Sequence, residues 1–207
     1  MIIGSYSSLL EQIDFYLDDP KLKPYIDGFV QNWEERFYRD PKNFGRWMET
    51  SVDDTIASSV VAVPDAYLGL KYAYVVGAPS ARLDRVSINQ IYGTFPRGGN
   101  TGVPVWIARE GENFVFGPPP DDTYDIHLIY YAKPDTMRAA STTNDHWLIV
   151  NAPDLPLYGA LLEAQPFILA DARIPIWDAA YRLALQSYRD LQVDEDYSGS
   201  PVQEVLA

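Results

Sequence analysis

Cysteine is absent from this 207-residue chain, which excludes disulfide scaffolds, thiolate zinc sites, iron–sulfur clusters and cysteine nucleophiles. Histidine occurs only twice, so metal and triad chemistry has few possible participants. Long apolar runs are also missing, and the longest fall far short of the roughly 20 residues that a bilayer span needs. The sequence therefore predicts a chain without a membrane segment that is stabilised by packing or by assembly.

Basic residues are scarce beside acidic ones: 16 Lys and Arg stand against 29 Asp and Glu, giving a formal net charge of -13. Affinity for nucleic acids depends on Lys and Arg that neutralise phosphates, so a general DNA or RNA binder is not expected. The first residues lack the basic segment and long apolar run of a secretory signal. We therefore expect a cytosolic product.

Helical patterns occupy both ends of the chain. Phe29, Trp33 and Phe37 follow one another at four-residue steps, which predicts a core-facing helix rather than a ligand-stacking surface. A second pattern runs from Asp154 to about Asp171, and Pro166 is expected to kink it. A third begins near Pro175, and its stripe is expected to pack on a close helix partner. That stripe comprises Ile176, Ala180, Leu183, Ala184, Ser187 and Leu191.

The middle of the chain has short segments rich in Val, Ile and aromatic residues, separated by Gly, Pro and Asp turns, which is typical of strands. The clearest hairpin joins residues 105–108 to residues 114–116 across Arg109–Asn113. The next strand, residues 124–131, is expected to complete a meander with that hairpin. One face of this strand is expected to be buried: Tyr124, Ile126, Leu128 and Tyr130.

These patterns predict an α+β fold in which N- and C-terminal helices pack as a bundle and a central antiparallel β lobe is inserted between them. The helical domain is expected over residues 1–59 and 141–193, and the β lobe over residues 60–140. Residues 194–207 are expected to form a flexible C-terminal arm, because they are acidic, contain Gly and Pro, and end in a short apolar tip.

Few motifs point to catalysis. Neither His127 nor His146 belongs to a His-Glu-x-x-His arrangement, and the chain has no Gly-x-Ser-x-Gly elbow. Three Asp-Asp pairs keep a sugar hydrolase open as an alternative, although each pair is expected beside Pro or in a turn, where Asp bonds the local backbone. The pairs are Asp18-Asp19, Asp53-Asp54 and Asp121-Asp122. The sequence predicts no catalytic residue, no metal and no cofactor.

Four segments carry a more specific signal, and they occur in order at residues 61–68, 102–108, 114–131 and 147–164. They resemble the head-to-tail adaptor proteins of tailed bacteriophages, over about residues 60 to 191. In those proteins a Leu-Pro-x-Asp-Tyr motif opens the β part, a Pro-x-Pro-Asp turn leads into a strand ending in Tyr-Tyr, and Asn-x-Pro-Asp-Leu-x-Leu-Tyr-Gly-Ala-Leu opens the C-terminal helices. This chain departs from them in reading Val63-Pro64-Asp65-Ala66-Tyr67 at the first motif and in having Pro156 between Leu155 and Leu157 in the last one.

The resemblance implies a structural virion protein without enzymatic activity. Such a protein forms a ring, typically of twelve copies, between the portal protein and the tail or nozzle protein in the neck of the virion. DNA passes through the ring as cargo, no membrane partner is implied, and the protein is made in the host cytoplasm. The alternatives are another tail-completion ring, such as a tail terminator, and a carbohydrate-binding or carbohydrate-hydrolysing phage protein.

Two kinds of contact residue are expected. Polar, Gly-containing loops are expected to face the tail or a neighbouring copy, and their residues are Arg97, Asn100, Arg109, Glu110 and Glu112. The apolar tip of the arm is expected to bind the portal by folding on it, through Val202, Val205 and Leu206. Twelve copies would carry 12 × -13 = -156 charges, which would keep DNA from adhering to the ring, although a role in solubility explains the acidity equally well.

Overall fold

The computed structural model describes residues 3–77, 81–96, 99–142, 146–168 and 171–196. Its α-helices are α1 (Tyr6–Leu17), α2 (Ile26–Arg39), α3 (Ile88–Thr94), α4 (Trp147–Asn151), α5 (Asp154–Glu163) and α6 (Ile174–Asp196). Its strands are β1 (Glu49–Ile56), β2 (Val60–Ala62), β3 (Tyr67–Val75), β4 (Ala81–Arg82), β5 (Asp84–Arg85), β6 (Trp106–Glu110), β7 (Asn113–Gly117) and β8 (Tyr124–Ala132). Helices at both ends flank a central, mainly antiparallel region, which confirms the predicted α+β class.

Two compact units make up the chain. The helical unit contains the residues up to Trp47 and those from Pro134 onward, and the β unit is Met48–Lys133. The β unit thus begins at Met48 rather than at residue 60, and it ends at Lys133 rather than at residue 140. The sequence pattern does not show β1, because this strand lies at the edge of a sheet and its polar residues remain in solvent. Asp53 and Asp54 consequently lie in a strand and not in a turn.

The core of the helical unit forms around α5, which packs against α1, α2 and α6. Phe29, Trp33 and Phe37 of α2 are buried, as their spacing predicts. α5 is buried around most of its circumference, because its residues from Leu155 to Leu161 are apolar or small, apart from the half-buried Tyr158. One of these, Gly159, lies against the Trp33 ring, whose Nε1 donates a hydrogen bond to the Tyr181 hydroxyl at 3.1 Å. The last adaptor-like segment, residues 147–164, therefore contributes the central helix of this unit.

The connection from α5 to α6 differs from the prediction. Pro166 does not kink a longer helix, because α5 has already ended at Glu163 and a short 3-10 turn follows at Gln165–Phe167. A proline in the turn that follows a helix prevents the helix from continuing. α6 then begins at Ile174 and runs to Asp196, past residue 193, where the sequence predicts the end of the helical domain.

α6 buries its aromatic face instead of the predicted aliphatic stripe. Trp177 and Tyr188 are buried, and the Tyr188 hydroxyl donates to the Asn43 carbonyl oxygen at 2.8 Å. Aromatic side chains offer more apolar area than aliphatic ones, so packing of this face is favoured. Of the predicted stripe, Ala184 is buried, whereas Ile176 and Leu183 are 66% and 70% exposed. The residues of the exposed face are called the α6 stripe below: Ile176, Ala180, Leu183, Ser187 and Leu191.

The β unit contains two four-stranded sheets, in the orders β1-β8-β3-β4 and β2-β7-β6-β5. All strand pairs are antiparallel except β5 with β6. A single cluster of buried side chains draws on both sheets, which therefore pack face to face as a sandwich. Its largest members include Phe114 and Phe116 from one sheet and Ile126 and Leu128 from the other.

The predicted hairpin is confirmed and the predicted meander is wrong. β6 and β7 form the hairpin, whose last pair is Glu110 with Asn113, and Gly111 supplies the φ of +62° that the tight turn requires. β8, by contrast, pairs with β1 and β3 in the opposite sheet. The alternation along β8 is as predicted, since Ile126, Leu128 and Tyr130 are buried.

Candidate functional site

The hairpin tip brings three of the expected contact residues together. Arg109, Glu110 and Glu112 are all exposed at the turn between β6 and β7. The tip is braced from within, because Arg109 Nε donates to the Gly111 carbonyl oxygen at 2.9 Å and the Tyr92 hydroxyl donates to Glu110 Oε2 at 2.7 Å. These side chains therefore form a preorganised polar projection of the β unit.

The first adaptor-like segment folds against this tip. The Val63 amide donates to the Glu112 carbonyl oxygen at 2.9 Å, and the Arg109 guanidinium lies 5.1 Å from the centre of the Tyr67 ring. A cleft of about 280 Å³ beside Tyr67 is bordered by Arg109 and by Arg85, which donates to the Leu70 carbonyl oxygen at 2.8 Å. Burial raises the pKa of Tyr67, so its phenol stays protonated beside the two guanidinium groups.

The loop that contains Asn100 lies at the other end of the same hairpin. Asn100 is exposed, and nearby the Gly102 amide donates to the Pro119 carbonyl oxygen at 2.9 Å. The Val105 amide likewise donates to the Gly117 carbonyl oxygen at 3.0 Å, where β7 ends. Asn100 is thus separated from the tip by the length of β6 and does not share its surface. Arg97 lies outside the described residues.

The three tip residues of the expected C-terminal arm, Val202, Val205 and Leu206, also lie outside the described residues. Before the arm, α6 is anchored at its C-terminal end, because buried Gln192 accepts a hydrogen bond from the Arg46 amide at 2.9 Å through its Oε1. Asp194 to Asp196 continue the helix. The arm therefore begins later than residue 194.

Two surfaces of the helical unit that expose large apolar side chains do not follow from the motifs. One is the α6 stripe, and the other surrounds Phe15 of α1, which is 73% exposed. Phe15 borders an open groove of about 740 Å³, called the Phe15 groove below. Its charged residues are Glu11, Asp14, Asp18, Asp19, Lys23 and Arg173. Leu9, Ile13 and Leu17 recur at four-residue steps on the buried face of α1, and Phe15 does not belong to that series. Its position on another face of the helix is the feature of the sequence that indicates its exposure.

His146 has a structural role in the helical unit. Its Nδ1 accepts the Leu148 amide at 3.3 Å and so caps α4, while its Nε2 lies 3.3 Å from the Tyr38 hydroxyl. Burial lowers the pKa of His146 to about 4, so the ring is neutral at pH 7. Because Nδ1 accepts, the proton of the neutral ring is on Nε2.

His127 of the β unit lies on an exposed sheet face, with its Nδ1 2.6 Å from Asp53 Oδ1 and its ring 5.2 Å from that of Tyr74. Within the described ranges, no three His, Asp or Glu side chains cluster as a metal site. No helix in the described part of the chain is long and apolar enough to cross a membrane.

Comparison with known proteins identifies a family rather than a single relative. No curated protein matches the chain significantly. The family model described as SU10 adaptor protein matches residues 5–204, which is nearly the whole sequence and includes both structural units. The resemblance to phage head-to-tail adaptors is confirmed by this match, and the chain belongs to the SU10 adaptor protein family.

Proposed function

We propose that this phage adaptor forms a ring of twelve copies between the portal protein and the tail or nozzle protein, in the neck of the virion. The family match over residues 5–204 carries the proposal, because it covers both the helical unit and the β unit. The role is structural and non-enzymatic, and DNA passes through the centre of the ring as cargo.

The negative net charge of the chain supports a role as a channel for DNA. Twelve copies carry a formal charge of 12 × -13 = -156, and a duplex that bears one negative charge per about 1.7 Å is repelled by such walls. A channel that does not bind its cargo lets DNA pass freely. Exposed apolar side chains at several places on the helical unit supply the material for contacts between copies.

Each group of expected contact residues is assigned to a partner in the neck of the virion. The hairpin tip, with Arg109, Glu110 and Glu112, and the loop with Arg97 and Asn100 face the tail or a neighbouring copy. Because the tip and Asn100 lie at opposite ends of one hairpin, they meet different partners. The tip of the C-terminal arm, through Val202, Val205 and Leu206, binds the portal.

The test combines the purified full-length chain with portal rings of the same virus. Electron microscopy and native mass spectrometry should give a closed twelve-copy ring seated on the portal, with an open centre. A chain that stays monomeric with the portal present contradicts the proposal, and one that assembles only on tails favours a tail terminator. Polysaccharide hydrolysis that one Asp→Asn substitution abolishes would establish the carbohydrate-active alternative instead.

A further inference from the structure

Two arginines of the β unit occupy inward-facing positions of the sandwich. Arg85 of β5 is paired with Ile107 of β6, and Arg109 follows Ile107 by two residues on the same face of β6. Ile107 is buried between the two sheets, whereas both arginines are exposed, so they lie where the inner face reaches solvent. Inner positions of a sandwich normally carry the apolar side chains of its core. The two cations therefore depart from the pattern that stabilises the fold.

Both side chains border the cleft of about 280 Å³ beside Tyr67, called the Tyr67 cleft below. The Arg109 guanidinium lies 5.1 Å from the centre of the Tyr67 ring. Burial raises the pKa of Tyr67, and the charges of both guanidinium groups oppose that rise, so both act on the same hydroxyl. Leu70, Ile107 and Phe114 also line the cleft. It thus combines two converging cations with an apolar wall.

Neither arginine of the Tyr67 cleft has an acidic partner. Within the described ranges, Arg85 and Arg109 form no ion pair, and no Asp or Glu lines the cleft. Arg82, Arg138 and Arg189, by contrast, each form an ion pair with an Asp. In a chain with 29 acidic and 16 basic residues, two unpaired cations at one cleft are unexpected. They indicate an anion that comes from outside the subunit.

Each guanidinium is held in place and retains donors for such an anion. Arg85 Nη1 donates to the Leu70 carbonyl oxygen at 2.8 Å. Arg109 Nε donates to the Gly111 carbonyl oxygen at 2.9 Å. A guanidinium has five N–H groups, so most of the donors on each arginine remain available. Two cations fixed at one cleft repel each other, and an anion bound between them replaces that repulsion with attraction.

Protection of a sheet edge explains only one of the two arginines. An inward-pointing charge on an edge strand prevents pairing with another chain. β5 is an edge strand, but β6 lies between β5 and β7, so Arg109 has no edge to protect. Asp65 and Glu112 border a separate hollow beside Arg109, but neither pairs with it in the described part of the chain. Arg109 is therefore available to an external anion.

A carboxylate side chain suits the Tyr67 cleft better than a DNA phosphate does. The planar guanidinium binds both anions well, so the surroundings must discriminate between them. Asp and Glu carry the carboxylate on an apolar stem, which can lie against the wall formed by Leu70, Ile107 and Phe114. A duplex carries its phosphates on a wide, rigid backbone, and the net charge of -13 repels it.

The net charge also favours a second copy of this chain as the source of the carboxylate. Two copies that each carry a formal charge of -13 repel each other, so their contact requires cations of one copy against carboxylates of the other. We propose that the Tyr67 cleft binds an Asp or Glu side chain of a second copy, with the carboxylate held between Arg85 and Arg109. This inference rests on the proposed ring and specifies the chemistry of one contact between its subunits.

Removal of the two cations tests the contact. The full-length double variant Arg85→Gln, Arg109→Gln is assembled alone and on portal rings, and rings are counted by native mass spectrometry. We expect the yield of rings to fall by about tenfold or more, with little change in melting temperature. The matched control is Arg82→Gln, Arg182→Gln, which removes the same charge from exposed arginines that pair with an Asp of their own copy. It should assemble like the unmodified chain.

Carbodiimide coupling identifies the carboxylate. Arg109→Lys keeps the positive charge and introduces an amine, which carbodiimide joins as an amide to a carboxylate in contact with it. Assembled rings of this variant should give covalent oligomers beyond the background from the natural lysines, measured with the unmodified chain. Peptide mass spectrometry should place the new amide between residue 109 and an Asp or Glu. Arg82→Lys, the control, should give no oligomers above the background.

Other outcomes separate this inference from the proposed function. Rings of the double variant at normal yield, or Arg109→Lys rings without new oligomers, overturn the inference and leave the adaptor ring standing. Normal rings that no longer join tails assign the carboxylate to the tail protein. Duplex DNA that is retained by the unmodified chain and lost by the double variant makes phosphate the ligand, which also overturns the inference. Absence of any ring from the unmodified chain, with or without the portal, overturns the proposed function as well.

Discussion

Gly159 of α5 lies so close to Trp33 of α2 that a Cβ atom at residue 159 would overlap the indole ring. The two helices can approach because this position has no side chain. We expect Gly159→Ala to destabilise the helical unit by about 1–3 kcal/mol, since Trp33 must move and weaken its hydrogen bond to Tyr181. Urea unfolding followed by tryptophan fluorescence measures this loss.

Gly28→Ala in α2 is the matched control. Gly28 is exposed, and a Cβ atom there would meet no other atom within 4 Å. Alanine in an exposed helix interior stabilises by about 0.5–1 kcal/mol relative to glycine. Equal effects of the two substitutions would show that the contact of Gly159 with Trp33 does not determine helix packing.

Local patterns in the sequence predict elements well and their partners poorly. The α2 stripe and the β6–β7 hairpin are confirmed because spacing and turn residues determine them within a few positions. The sequence predicts the wrong neighbours for β8, because strand pairing depends on where the chain crosses between sheets, after residue 117. For α6 the helix was predicted but its buried face was not, since Trp177 and Tyr188 compete successfully with Ile176 and Leu183 for the core.

Acid should destabilise the helical unit through His146. Its pKa is lowered from 6.5 to about 4 in the folded chain, so between these values the unfolded chain binds a proton that the folded chain does not. The contribution is fully present above pH 6.5 and is lost as the pH falls toward 4, on the order of 3 kcal/mol across the range.

Denaturant unfolding at a series of pH values measures this loss. His146→Asn retains a side chain that caps α4 but cannot titrate, so its stability should fall less steeply between pH 6.5 and pH 4. Identical slopes for both proteins would assign the acid sensitivity to other groups.

Removal of charge from the hairpin tip should weaken tail attachment without affecting the folding of the chain. Glu110 and Glu112 are exposed, so the double variant Glu110→Ala, Glu112→Ala should change the free energy of unfolding by less than about 1 kcal/mol, including the lost hydrogen bond from Tyr92. Joining of tails to filled heads should nevertheless fall several-fold. Infectious particles formed at the normal yield by a chain that lacks both the tip and the Asn100 loop would refute the role of these loops.

A truncation after Asp196 tests the C-terminal arm. The cut follows the last residue of α6 and keeps Gln192, whose side chain accepts from the Arg46 amide, so the melting temperature should be unchanged. Co-sedimentation with portal rings should be lost, because Val202, Val205 and Leu206 are removed. Portal binding at the level of the full chain would locate that contact elsewhere.

The contact surfaces were harder to predict than the elements. Arg109, Glu110 and Glu112 could be placed at an exposed tip because a turn is a local feature. The Phe15 groove could not, since it combines residues of α1 with Arg173, far away in the sequence. Exposure of Leu183 likewise depends on which face of α6 the rest of the bundle covers.

Glu49 and Tyr131 are cross-strand partners, so the chain enters and leaves the β unit through two adjacent strand ends. Directly opposed residues in an antiparallel pair have Cα atoms only about 5 Å apart. A short turn could bridge that gap, which makes the β unit a detachable module. The sandwich can therefore be exchanged, enlarged or shortened without rebuilding the helices around α5.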